Sequence, residues 1–281
     1  MIPRRGFLAT AVSFAALPLL KARADEQHLS LGGGLEQGSL VIGKTNPEAR
    51  VAIDSQVLQL SERGYFAFGI AYDRTKPLQL DVSYPDGGIL MQDVVPVVRK
   101  FETQAITGLP PEEVTPPPEL LARIAAEKAK IEEARKSLVL EDWYADGFDW
   151  PVPGTISGTF GNQRILNGVP KQPHFGVDIA AKEGTPILAP AEANVLLAEP
   201  DFFYDGGITI LDHGHGVTTT YLHQSKLDIA VGAHVTRGQK IGEVGHNGRA
   251  TGPHLCWRLN WFQVQLYPSR ATREAAPSKA A

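Results

Sequence analysis

Apolar residues in the first third of the chain recur in short alternating runs separated by turn-forming residues. Ser39-Leu40-Val41-Ile42 precedes Lys44-Thr45-Asn46-Pro47; Arg50 to Ile53, Val57 to Leu60, Tyr65 to Ile70, Leu78 to Val82 and Ile89 to Met91 follow. Alternation puts every second side chain on one face of a strand, and such runs at roughly 8–12-residue spacing predict an antiparallel sandwich. Residues 25–100 therefore read as a small immunoglobulin-like β-sandwich. The pattern then changes. Leu109 to Pro118 is dense in proline and is expected to lack regular structure. Beyond it, Leu121, Ile124, Ile131, Ala134 and Leu138 form an apolar stripe at helical spacing, which predicts one helix from Glu119 to about Leu138. That stripe docks on a neighbouring domain or forms an arm over a groove. Residues 101–149 are thus a proline-rich linker and helix. From Ile156 onward short strands return at Ile187–Ala189, Ala193–Leu197, Ile208–Leu211 and Thr218–Leu222, punctuated by glycine. The fold class is all-β with a helical connector, the second domain occupying residues 150–268 and a disordered tail residues 269–281.

The first 24 residues follow another logic. Arg4-Arg5-Gly6-Phe7-Leu8 leads into an apolar run ending at Leu20, then Lys21-Ala22-Arg23-Ala24, the layout of a cleavable signal peptide. The paired arginines resemble a twin-arginine signal, which implies a periplasmic protein. About 14 apolar residues are too few to span ~30 Å of hydrocarbon, so no stable membrane anchor is expected. Residues 1–24 hold Arg4, Arg5, Lys21 and Arg23 and no acid; without them 23 basic residues face 31 acidic ones, a balance of −8 against −4 for the whole chain. That balance, with no basic patch, argues against nucleic acid as a partner. The single cysteine, Cys256, excludes an intrachain disulfide. In an exported chain a lone thiol is expected to be buried or held by a metal.

The polar chemistry gathers in the second domain. In Thr251-Gly252-Pro253-His254-Leu255-Cys256-Trp257, His254 and Cys256 are two residues apart and project from one face of a strand. Upstream, Pro173-His174-Phe175-Gly176-Val177-Asp178 places His174 and Asp178 four apart, again on one face, with Val177 and Ile179 favouring a strand. Tyr221-Leu222-His223 supplies a third imidazole. Three histidines, a carboxylate and a thiol suffice for three metal ligands and two proton-handling groups. His213 and His215, in Asp212-His213-Gly214-His215-Gly216, read as a hairpin turn, and His234 as a surface residue.

His-x-x-x-Asp, Tyr-x-His and Gly-Pro-His-x-ligand, in that order, resemble the lysostaphin/LytM-type zinc metallopeptidases that cut peptidoglycan cross-bridges. Gly184-Thr185-Pro186, the His213-Gly214 turn and Gly238-Gln239-Lys240-Ile241-Gly242 extend the resemblance over about Trp150 to Pro268. It implies an antiparallel sheet with the site in a groove along one face. It also implies Zn2+ held by His174, Asp178 and Cys256, with His223 and His254 as the catalytic, non-ligating histidines. One position departs from the family pattern, which has a histidine where Cys256 stands. The implied function is an exported endopeptidase acting on peptidoglycan stem peptides or cross-links. The alternative is a catalytically inactive LytM-like scaffold that activates another wall hydrolase. Peptidoglycan, and cell-division or wall-hydrolase proteins, are the implied partners.

Overall fold

The structure, a computed structural model, describes residues 29–275. The signal peptide expected at residues 1–24 and the last six residues of the expected tail lie outside them. Strands Ser30–Gly32, Leu40–Lys44 and Tyr65–Gly69 form a three-stranded antiparallel sheet. Strands Arg50–Ile53, Gln56–Leu58, Leu78–Ser83 and Ile89–Val94 form a four-stranded one, also antiparallel. Leu78–Ser83 shows the expected alternation, burying Leu78, Leu80 and Val82. These meet Val41, Phe66 and Phe68 of the other sheet in one core. Tyr65–Gly69 is apolar on both faces for a reason the pattern alone does not reveal. Its outer face abuts the second domain, where a Cβ on Gly69 would lie 2.9 Å from Leu266 and 3.3 Å from Trp261. The apolar core is therefore continuous from the N-terminal sheets into the C-terminal one.

The connector is more ordered than its proline content predicts. Thr103–Ile106 pairs in parallel with Gln163–Leu166, stitching it to the second domain. Within the proline-rich stretch a short helix, α1, spans Pro111–Val114. Proline at the first helical position has the φ a helix needs, and its missing N–H would have no partner there anyway. Glu112 and Glu113 add acidic charge at the positive end of the helix. The second helix, α2, spans Pro118–Ala134 and ends four residues before the expected Leu138. Its stripe is divided: Ile131 and Ala134 pack on Leu197, Phe202, Ile208, Ile210, Leu222 and Cys256, while Leu121 and Leu138 are exposed. Polar ties hold it in place. Lys130 meets Glu199 at 2.6 Å, Glu127 accepts from the Phe203 amide at 2.9 Å, and Gln263 donates to the Glu132 carbonyl at 3.0 Å.

Gln163–Leu166 and Val169–Pro170 belong to the smaller sheet shared with Thr103–Ile106, while the main sheet of the second domain has ten strands, paired antiparallel throughout. His254–Trp261 lies at its centre, between Val217–Leu227 and Val177–Ala180. The all-β expectation holds, with α1 and α2 the α-helices among the described residues. Residues 269–275, expected to be disordered, are instead pinned by backbone bonds between Phe148 and Ala271 and Arg273, and by the Arg270–Glu36 and Arg273–Asp149 ion pairs. Among the described residues no helix is long and apolar enough to cross a membrane.

Candidate metal centre

Register brings the donors together. Asp178 stands directly opposite Cys256 in the pairing of Val177–Ala180 with His254–Trp261. His254, two residues before Cys256, points to the same face, as strand parity requires. His174 lies outside the strand expected for it, in the segment leading into Val177. There its amide donates to the Asn162 carbonyl and its carbonyl accepts from the Gly161 amide. Two glycines leave room for the cluster. A Cβ on Gly158 would lie 2.3 Å from an Asp178 carboxylate oxygen, and one on Gly176 would lie 2.9 Å from the Cys256 sulfur.

His174 Nε2 is 3.1 Å from Asp178 Oδ1 and 3.4 Å from Cys256 Sγ, and the three donor atoms lie within 4.8 Å of one another. Donors on a tetrahedral zinc at ~2.0–2.3 Å stand roughly 3.3–3.6 Å apart, so this spacing suits that ion with little rearrangement. All three residues are buried. Burial alone would raise the Asp178 carboxyl, but His174 and the Arg164 guanidinium, 2.7 Å from Oδ2, hold it well below the usual carboxylate range. Burial lowers the His174 pKa, keeping that imidazole neutral and able to ligate. The Cys256 thiol is pushed up to about 12, first by burial and then by the Asp178 charge.

His223 and His254 sit beside these donors with ring centroids 4.7 Å apart. Each Nδ1–H donates to a backbone carbonyl at 2.8 Å, of Asn247 for His223 and of Gly252 for His254. In the neutral form each ring therefore carries its lone pair on Nε2. His254 Nε2 lies 3.8 Å from Asp178 Oδ1. Burial, with a smaller contribution from His254, lowers the His223 pKa to about 3, so this ring is neutral. A β-bulge delivers it. Thr209 pairs with Tyr221 and Gly207 with Gln224, so Val217–Leu227 carries an extra residue, and His223 takes a φ of 65°. Non-glycine residues at such φ are uncommon and gather at functional sites. Without the bulge, Tyr221 and His223 would share a face; with it Tyr221 enters the core while His223 turns to the donors.

The structure thus unites all five residues singled out in the sequence. Arg164 and Arg258, which contact Asp178 and Cys256, were not foreseen, since no spacing links them to the histidine motifs. His213 and His215 hold the turn: His213 bonds Glu192 and Thr219, and His215 bonds Tyr144 and the Leu140 carbonyl. His234 is at the surface, bonded to Glu192.

Residues 172–268 match Peptidase family M23. Peptidoglycan DD-endopeptidase ShyA of Vibrio cholerae is 40% identical over 106 residues, covering 37% of this chain and 24% of that protein. The DD-carboxypeptidase/endopeptidase Mpg of Neisseria meningitidis is 42% identical over 82 residues, 29% of this chain and 19% of its own. The matched stretch is thus a quarter or less of the length of these curated relatives. A crystal structure from Pseudomonas aeruginosa described as a peptidase M23 superposes with a TM-score of 0.65 at 28% identity, covering 84% of this chain and 94% of that one. The donor cluster lies inside the matched stretch, and the chain carries a domain of peptidase family M23, the lysostaphin/LytM family, over residues 172–268.

Proposed function

We propose that this chain is an exported zinc metalloendopeptidase that hydrolyses peptide bonds in peptidoglycan stem peptides or cross-links. The observation that carries the reading is the convergence of a ring nitrogen of His174, a carboxylate oxygen of Asp178 and Cys256 Sγ within 4.8 Å of one another, flanked by the paired imidazoles of His223 and His254. Zinc held by these three donors would supply a Lewis acid for the scissile carbonyl and the attacking water. The two histidines handle protons. One Nε2 accepts the proton of the attacking water and the other, once protonated, delivers one to the leaving amine. The backbone carbonyls of Asn247 and Gly252 hold both rings in the tautomer this needs. Arg164 keeps Asp178 ionised and oriented. The proposal includes the periplasm as the site of action, on the strength of the twin-arginine pattern. It also treats residues 25–100 as an immunoglobulin-like module that positions the 150–268 peptidase domain.

The test is metal content together with peptidoglycan hydrolysis. Purified chain, never exposed to chelator, is expected to hold close to one zinc, and to cut peptide bonds in sacculi, read as a loss of cross-linked muropeptides after a separate muramidase digestion. Zinc uptake has a definite pH dependence. At neutral pH His174 is neutral and Asp178 ionised, whereas the thiol, at about 12, is protonated and must lose its proton to ligate. One proton leaves per zinc bound, so affinity rises roughly tenfold per pH unit across the neutral range. A zinc titration showing no such slope removes Cys256 from the ligand set. A chain without zinc and without hydrolysis is the inactive scaffold of the alternative reading.

Gly158→Ala tests the cluster from the side. Its methyl group would occupy space held by the Asp178 carboxylate. Zinc affinity is expected to fall ~10–100-fold, as for loss of an orienting neighbour, with unchanged circular dichroism. Unaltered affinity would mean that Asp178 can move without consequence for the metal.

A further inference from the structure

The donors open into a cavity of about 1110 Å³ between the central sheet and the connector with α2. Its wall carries four arginines: Arg135, Arg164, Arg249 and Arg258. Asp178 engages one of them, Arg164. Arg249 lies over the Tyr204 ring and donates to the Glu113 carbonyl. The other two are poorly satisfied. Arg135, 7% exposed, has one long hydrogen bond, 3.4 Å to Thr220 Oγ1, and its Nε is buried without a partner. Arg258 donates to Cys256, has its Nε buried without a partner, and reaches its nearest carboxylate, Asp205, only at 3.9 Å.

These two guanidiniums are neighbours. Arg258 and Thr220 are cross-strand partners, and Arg135 bonds Thr220. Burial, and then the charge of Arg258, depress the Arg135 pKa to about 10. Of the acids on the cavity wall, Glu127 is paired with Arg123, Glu132 with Lys128 and Asp178 with Arg164, while Asp205 favours the charged form of both guanidiniums without a close bond to either. The chain as a whole is acidic, at −4, yet concentrates cationic groups here. Arg135 is buried, whereas Arg258 keeps 30% of its side chain exposed toward solvent, and Asp205 stands no closer than 3.9 Å to it, so an arriving carboxylate would give both guanidiniums the close partner they lack. Arginine suits that role because its planar fork bonds a carboxylate through two N–H groups.

We propose that Arg135 and Arg258 form a carboxylate-binding subsite beside the metal donors, so that the substrate is an anionic peptide with a free carboxylate close to the scissile bond. The inference rests on the peptidase reading, since it places that carboxylate by its distance from the reacting centre. Arg258 lies two residues from Cys256 on the same strand face and touches its sulfur, so a carboxylate on Arg258 is within one residue of the bond under attack. The remaining length of the cavity accommodates the rest of the peptide, between the sheet and Ile124 and Ile131 of α2. On this reading α2 is a wall of the substrate groove.

The experiment compares native sacculi with sacculi whose carboxylates have been converted to amides by carbodiimide and ammonia. Zinc-loaded chain is assayed for binding by co-sedimentation and for peptide-bond cleavage, read from the muropeptides after muramidase digestion. Charge-assisted hydrogen bonds to a desolvated carboxylate predict native material favoured ~10–100-fold in both. Arg135→Gln and Arg258→Gln, with zinc content verified, are expected to erase that preference, chiefly through KM, and Arg135→Lys to restore part of it. Should the glutamine variants fail to fold, the wild-type comparison alone decides. Equal binding and cleavage of native and amidated sacculi by the wild type overturns the subsite while leaving the peptidase reading intact. So does a folded Arg135→Gln/Arg258→Gln double variant that keeps the full preference. A wild type that prefers native sacculi in binding but cleaves neither retains the subsite and removes the catalytic proposal.

Discussion

His174→Ala and Asp178→Ala are each expected to lose stable zinc and, with it, all measurable hydrolysis of peptidoglycan. The cluster offers three donors, the number a catalytic zinc takes from protein when one position stays open. Removing either residue leaves two, with no other described histidine, cysteine or acid in the group to replace it. The two variants should differ in their side effects. Asp178→Ala also leaves Arg164 without its carboxylate, beside a buried thiol, so some loss of thermal stability should accompany the loss of metal. His174→Ala removes a ring whose Nδ1 is buried without a partner, and the fold should tolerate it. Elemental analysis and circular dichroism on the same preparations separate metal loss from unfolding. A folded His174→Ala chain with a full complement of zinc would place the metal elsewhere.

His223→Ala and His254→Ala are expected to behave in the opposite way, keeping the zinc and losing the rate. Neither ring belongs to the donor cluster, and each anchors its Nδ1–H on a backbone carbonyl. A single acid–base group contributes ~10²–10⁴-fold, so kcat should fall by that factor while zinc stoichiometry stays near one. His223 allows a sharper version of the experiment. Its φ of 65° is a conformation that asparagine adopts more readily than most residues. His223→Asn should therefore keep the bulge, the zinc and the fold, and still lose the rate, because an amide is no base. If His223→Asn is active, the residue serves the backbone conformation and the proton chemistry belongs to His254. Zinc loss in His254→Ala, with Cys256 becoming open to alkylation, would exchange the roles proposed for these two neighbours.

The site was legible where chemistry follows from short spacing. His254 and Cys256 share a face because a strand repeats every two residues, and the structure keeps that parity. Asp178 meets Cys256 because the two strands pair in register, which the order of the motifs implied but no local pattern dictates. His174 reaches the cluster from outside its strand, through backbone bonds to Gly161 and Asn162 that lie far from any motif. His223 is a clearer case. Read as a plain strand, Tyr221-Leu222-His223 puts tyrosine and histidine on one face; the bulge against Gly206–Asp212 sends them to opposite faces.

By itself the sequence determined the alternating strands of both β units, the existence of the connector helix and the identities of the five polar residues that converge. Those features depend on periodicity, which neighbours along the chain impose. Tertiary structure decided the rest. Pro111–Val114 became helical despite its prolines, because a first helical turn does not need the missing N–H. Tyr65–Gly69 is apolar on both faces because the second domain covers its outer one. Arg135 and Arg258 come from segments more than a hundred residues apart, yet both flank Thr220. Their juxtaposition arises from the packing of α2 across the central sheet, and no pattern along the chain encodes a contact at that separation.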